Sequence, residues 1–121
     1  MTLTKRSTKG SALTFTEMDD NLTHLDLYKS VQNISGPGAI STTTGVTLLT
    51  TTGTDAYTLA DGIECQIKII SMKVDGGNGT VTHDNFVNGT SILFNDVEDT
   101  VTLLYQSTGW VLLARQNATV Q

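Results

Sequence analysis

Asp99-Thr100-Val101-Thr102-Leu103-Leu104-Tyr105-Gln106-Ser107-Thr108-Gly109-Trp110-Val111-Leu112-Leu113-Ala114-Arg115 is the stretch whose reading decides the fold. Two runs rich in Val, Leu and aromatic residues flank the polar tetrad Gln106–Gly109, which closes on glycine, and that is the signature of a β-hairpin. Neither run alternates cleanly. Val101, Leu103 and Tyr105 share one face, yet Leu104 stands on the other. Across the turn Trp110, Leu112 and Ala114 share a face, with Val111 and Leu113 on its reverse. A hairpin with one face in water reads apolar-in and polar-out. One that is apolar on both sides needs two partners, its own core and something outside the subunit.

The same doubling recurs upstream. In Cys65–Lys73 the residues Cys65, Ile67 and Ile69 share a face, while Ile70, Met72 and Val74 share the other, so either a bulge switches faces or both faces are covered. Ile92 and Phe94 add a further short run. From Ala39 onward the pattern predicts strands at Ala39–Thr42, Gly45–Thr52, Ala56–Leu59, Cys65–Lys73, Gly79–Thr82, Ser91–Phe94, Thr100–Gln106 and Trp110–Arg115. Turn chemistry falls at Thr52–Asp55, Ala60–Gly62, Asp75–Asn78, Asn85–Gly89 and Asn95–Asp99. Short strands at this repeat predict a mainly β fold, a small antiparallel β-sandwich or barrel. Its core or oligomer interface is expected to hold Ile67, Ile69, Ile70, Met72, Ile92, Phe94, Leu103, Leu104, Tyr105, Trp110, Leu112 and Leu113.

Composition agrees with a compact sheet protein. The 121 residues suit one domain plus an appendage. Charged residues make up 16%, below the roughly 25% of ordinary soluble domains, and threonine, a strand former, is heavily used. Charge is divided: Met1–Gly10 carries Lys5, Arg6 and Lys9 and no acid, within a chain of net charge −5. A basic arm on an acidic body can lie on an acidic partner surface. Three charges supply too few phosphate contacts for useful nucleic-acid affinity. The single cysteine, Cys65, forms no intrachain disulfide and reads as a small buried hydrophobe. Thr, Ser and Lys stand where a signal peptide would place its apolar core, and no run reaches the ~20 apolar residues that span a bilayer. The expectation is a soluble protein made in the cytoplasm, with no membrane partner. Its Asn-x-Ser/Thr triplets, Asn78-Gly79-Thr80 and Asn88-Gly89-Thr90 among them, then read as turns into strands instead of glycan acceptors.

Upstream of the strands, Thr14-Phe15-Thr16-Glu17 is a capping box, with Leu13 and Met18 placed as a hydrophobic staple. Phe15, Met18, Leu22 and Leu25 follow helical spacing, so a helix of about three turns is expected over 15–27. Alone it would be marginal, so it must lie on a sheet or a partner. Ser35-Gly36-Pro37-Gly38 is a breaker cluster and reads as a hinge. The expected division is an N-terminal docking arm and helix over 1–38 and a β domain over 39–121.

No residue pattern supports catalysis, a metal or a cofactor. His24 and His83 are the two side chains with a base's pKa near neutrality, and both read as surface residues, His83 beside Asp84 in a polar turn. No Cys/His cluster has metal-ligand spacing. Asp96-Val97-Glu98-Asp99 lacks the alternation of a calcium loop and reads as a solvated turn. Asp75-Gly76-Gly77-Asn78-Gly79 has no helix behind it to complete a phosphate site, so a hairpin turn is expected. Tyr57 or Trp110, if exposed, could stack a sugar; the apolar run around Trp110 places it in the core.

Two stretches carry a resemblance. Lys9-Gly10-Ser11-Ala12-Leu13-Thr14-Phe15-Thr16-Glu17-Met18-Asp19-Asp20-Asn21-Leu22 is similar to a K-G-x-x-L-T-x-x-E-x-D-x-N segment near the N-terminus of tailed-bacteriophage virion proteins, head-decorating and tail-fibre proteins among them. The β region, through Leu59–Gly62, Gln66–Ile70, Asp75–Gly77, Asn88–Thr90 and Asp99–Tyr105 closing on Gly109-Trp110, resembles small β modules of phage structural proteins. Met18 stands where Val is usual, and Cys65 where a glycine is expected. The resemblance implies a non-enzymatic homotrimeric capsid decoration (cement) protein on the virion surface that binds and stabilises the major capsid protein. Docking would use Lys5, Arg6, Lys9, Leu13, Thr14, Phe15, Glu17, Met18, Leu22 and Leu25. The alternative it implies is a tail-fibre or spike component that binds host-surface glycans or adapts one virion part to another.

Overall fold

The computed structural model describes residues 12, 14–19, 30–86 and 89–121, and of Asp84 and Asn85 it describes the backbone alone. The fold is mainly β, with one short helical turn at 15–19. Ten strands follow: β1 Val31–Ser35, β2 Gly38–Ile40, β3 Val46–Thr50, β4 Asp55–Leu59, β5 Ile67–Val74, β6 Gly79–Phe86, β7 Gly89–Phe94, β8 Thr100–Gln106, β9 Gly109–Gln116 and β10 Thr119–Val120. They form two mixed sheets. The first runs β1-β3-β5-β8-β9, and the second β2-β4-β6-β7-β10. A single bridging pair, Phe86 with Trp110, joins them along one side.

The winding differs from the antiparallel sandwich expected. Successive strands alternate between the sheets, so β1, β3 and β5 lie parallel in the first, and β2, β4 and β6 lie parallel in the second. Parallel neighbours need a crossover between them, and here the crossover is a strand of the opposite sheet. That is the winding of a two-sided β-solenoid. Antiparallel pairing enters only after β6, where β8 pairs with β5, β7 with β6, β9 with β8 and β10 with β7. These late strands cover the last edge of the coil in both sheets, which blunts a template for unwanted pairing.

The corners explain how the coil stacks. Ser35-Gly36-Pro37-Gly38, read as a hinge, is the corner from β1 into β2, so the β module already includes Val31–Ser35, ahead of the boundary at 38. The Gly36 amide donates to the Thr50 carbonyl at 3.0 Å, and the Gly76 amide to Thr51 Oγ1 at 2.8 Å. Thr51 donates its own amide to the Val74 carbonyl at 3.1 Å, and Asp55 to that of Asn78 at 2.9 Å. Each corner thus rests on the one before it. A Cβ on Gly76 would strike the Thr51 carbonyl, and Gly77, with φ of +148°, would strike that of Gly53. Asp75–Asn78 is therefore a close-stacked corner between sheets, not a hairpin turn: β5 and β6 never pair with each other.

Between the sheets lies one core. Ile40, Leu49, Tyr57, Leu59, Ile70, Met72, Val81, Phe86, Ile92, Phe94, Val101, Leu103, Trp110 and Ala118 are buried there. Trp110 is its largest member: its indole donates to the Ala60 carbonyl at 2.9 Å, and Tyr105 meets it edge-on at 5.1 Å. An edge-to-face aromatic pair adds about 1 kcal/mol beyond its buried area. The hairpin 99–115 forms as read, with Gln106 opposite Gly109. A bulge near Leu113 then resets the alternation, so Thr102 faces Ala114 and Val101 faces Arg115. Ala114 is consequently exposed and off the inner face that Trp110 and Leu112 share.

Candidate functional site

The most unusual surface is the outer face of the first sheet. Strand alternation and register place three rows there. Val31, Val46, Ile69, Thr102 and Ala114 form the first; Asn33, Leu48, Ser71, Thr100 and Gln116 the second; Ile67, Leu104 and Val111 the third. β5 alternates without a break, Lys68, Ile70 and Met72 inward and Ile67 and Ile69 outward, so no bulge at Ile69–Ile70 accounts for its double apolar pattern. Val31 and Ile67 are exposed at 49% and 38%, while Val46, Leu48, Ile69, Leu104 and Val111 are half-buried by their neighbours; Leu113, at the bulge of β9, is 53% exposed. The polar members of the second row satisfy each other: Ser71 Oγ and Thr100 Oγ1 lie 2.7 Å apart.

The outer face of the second sheet has a different chemistry. Ala39, Ala56, Thr58, Thr80, Thr82, Ser91 and Thr119 face out, and Leu93 is the one large aliphatic among them. On this side an open groove of about 590 Å³ is lined by Thr58, Leu59, Ala60, Asp61, Thr82 and His83. His83 is buried, contrary to the surface position expected for it, because the strand β6 continues through it to Phe86. Its Nε2 lies 3.0 Å from Asp61 Oδ1, and its ring packs 5.5 Å from Phe86. Asp61 is exposed and also lies by Tyr105, whose phenol is pushed above its ordinary value by desolvation and then by the Asp61 carboxylate. The groove offers hydroxyls and the exposed Asp61 carboxylate to a polar ligand, with the buried His83 imidazole bonded to that carboxylate from behind.

Several other residues sit elsewhere than expected. Cys65 is exposed, not buried, and has φ of +67°, the left-handed conformation a glycine adopts freely. Its amide donates to the Tyr105 carbonyl at 2.8 Å, which ties that turn to β8. Tyr57 is fully buried and presents no ring to a sugar. Burial, then the neighbouring Asp55 carboxylate, pushes its phenol pKa up. Asp99 is buried too, and is not part of a solvated turn: its Oδ2 accepts from the amides of Asn95 and Asp96 at 2.9 and 3.1 Å. Lys68 is a residue that sequence reasoning missed. It points inward at the loop end of the core, and its Nζ donates to the Thr44 carbonyl and hydroxyl at 2.9 and 2.8 Å. Desolvation lowers its pKa to about 8.

Of the docking residues named from the N-terminus, Thr14, Phe15, Glu17 and Met18 lie within the described residues. Lys5, Arg6, Lys9, Leu13, Leu22 and Leu25, the rest of the helix expected over 15–27, and His24 lie outside them. The capping box forms: the Thr14 amide donates to Glu17 Oε1 at 3.0 Å, and the Glu17 amide to Thr14 Oγ1 at 3.1 Å. Phe15 is 85% exposed and Met18 40% exposed. Among the described residues no group of three or more His, Cys, Asp or Glu could hold a metal ion, and no helix is long and apolar enough to cross a membrane. No protein-family model matches the chain, and a search of curated proteins finds no significant match.

Proposed function

We propose that this chain is a non-enzymatic structural protein of a tailed-phage particle, a homotrimeric capsid decoration protein that stabilises the major capsid protein shell. The observation that carries the reading is the aliphatic outer face of the first sheet, which leaves Val31 and Ile67 exposed on one subunit. Apolar area of that kind on a small module marks a contact with other chains. The N-terminal segment, with its capping box and exposed Phe15 and Met18, supplies a second apolar contact suited to docking. Trimer and capsid come from the resemblance of Lys9–Leu22 and the β region to virion proteins. Imaging of particles carrying the protein tests the reading: copies in the hundreds, on the shell, are expected, and a dozen or two at the tail would overturn it.

A second reading is favoured by the groove beside His83. A tail-fibre component that binds host glycans would use the hydroxyls of Thr58 and Thr82 with Asp61, whose carboxylate is bonded to His83. A glycan array separates the two, since the decoration reading expects no sugar-dependent binding and no loss on Asp61→Ala.

A further inference from the structure

We infer that copies of this chain meet through the outer face of the first sheet, aliphatic rows against aliphatic rows. Self-association at this face deepens the structural role proposed above and rests on that reading for its biological setting, whereas the contact itself is argued from the surface alone.

Charge points to the occupant. The chain carries −5, yet none of the three rows across β1, β3, β5, β8 and β9 includes a charged side chain. Across these rows a nucleic acid, a charged peptide or a lipid headgroup has nothing to pair with; the exposed Lys73 lies beyond them, at the end of β5. A second copy of an acidic molecule can approach without placing carboxylate against carboxylate. Geometry agrees. Five strands put about 19 Å between the axes of β1 and β9, and five residues of strand run about 17 Å. With side-chain margins the footprint is on the order of 500 Å² per subunit, which in a paired contact reaches the roughly 1,000 Å² in total that a specific interface clears. The face is a sheet surface with Val, Ile and Leu rows, so three copies can turn it toward a common three-fold axis, each meeting its two neighbours with different parts of that face. The helical turn at 15–19 does not cover it in this structure: Phe15 is itself 85% exposed.

The test is sedimentation velocity on the full chain and on two double variants, across micromolar concentrations. Val31→Lys/Ile67→Lys places charge at sites already 49% and 38% exposed, so the core is untouched. Ala39→Lys/Ala56→Lys does the same at exposed positions of the second sheet. The wild type is expected to sediment as an oligomer. Val31→Lys/Ile67→Lys should weaken it by roughly 100-fold or more while keeping a β-sheet circular dichroism spectrum, since like charges brought together cost several kcal/mol. Ile67→Thr, a milder change, should shift it the same way, and Ala39→Lys/Ala56→Lys should leave it unchanged. A wild type that stays monomeric, as it would if its own N-terminal segment covered the face, overturns the inference. So does a Val31→Lys/Ile67→Lys variant that sediments like the wild type. An oligomer lost in that variant but unable to bind phage particles supports the face and overturns the virion role.

Discussion

The two outer faces of this molecule are built from the same strand geometry and opposite chemistry. On the second sheet the outward positions among the described residues are Thr, Ser and Ala, with Leu93 as their one large aliphatic, and water suits that surface. On the first sheet they include Val31, Val46, Leu48, Ile67, Ile69, Leu104 and Val111. Both sheets contribute their inner faces to the shared core, so core formation cannot explain the difference. Full burial of a large aliphatic side chain is worth about 1.5–3 kcal/mol, and these half-buried or exposed ones leave part of it unrealised. Under the proposed self-association, one sheet is finished by folding and the other by assembly.

The largest effect tests whether both sheets truly depend on one core. Trp110 joins β9 to β6 and is wholly buried, so Trp110→Ala should cost about 3–5 kcal/mol in urea unfolding. The loss should appear as one transition; two separate transitions would mean that the sheets are stabilised independently.

Lys68 sharpens the comparison from inside, since it is the charged group buried behind the first sheet. Its folded pKa of about 8 lies below the ordinary 10.5, so between those values the unfolded chain binds more protons and stability rises with pH. Below about pH 8 the whole burial cost is present. Lys68→Met should therefore stabilise the protein at pH 7, by at most about 3 kcal/mol less the lost bonds to Thr44, and should flatten the rise seen from pH 8 to about 9.5. A variant as pH-dependent as the wild type in that window would remove Lys68 as its source.

A matched pair breaks the comparison most simply. Leu104 and Leu93 are both half-buried in one subunit, on opposite faces. Leu104→Thr should weaken the oligomer by about 1–2 kcal/mol per subunit, and Leu93→Thr by nearly nothing, as measured by the concentration dependence of light scattering. Equal effects would erase the distinction between the faces. The smallest change lies at the turn before β5: Cys65→Gly relieves a left-handed residue and should raise stability by about 1 kcal/mol in thermal unfolding.

Much of this was legible in the chain. The hairpin of Asp99–Arg115 and the strands near 46–50, 55–59 and 67–74 follow from apolar runs set between turn residues. The second apolar face was legible as well, because Leu104 and Val111 break an alternation that a solvated sheet would keep. The winding was not. Thr52–Asp55 and Asp75–Asn78 have hairpin chemistry, and nothing local distinguishes a turn that returns to its own sheet from a corner that crosses to another. The coils also differ in length, Val31 pairing with Val46 and Val46 with Ile69, which hides any repeat. β1 escaped because Val31-Gln32-Asn33-Ile34-Ser35 is half polar, and Gln32 turns inward to accept from the Ser41 amide and Thr47 Oγ1 at 2.8 Å. His83 and Lys68 were misplaced or missed for one reason: a polar side chain is buried only when a distant group receives it. Asp61 and Thr44 are brought to them by the coil, not by neighbours in sequence.

The central claim, that the first sheet's outer face is closed by other copies, is tested most directly by side-chain oxidation footprinting of the native protein with mass-spectrometric readout. Leu104, Ile69 and Val111 are predicted to label far less than Leu93, and to catch up with it once Val31→Lys/Ile67→Lys has separated the subunits. Labelling of Leu104 equal to that of Leu93 in the wild type would contradict the account.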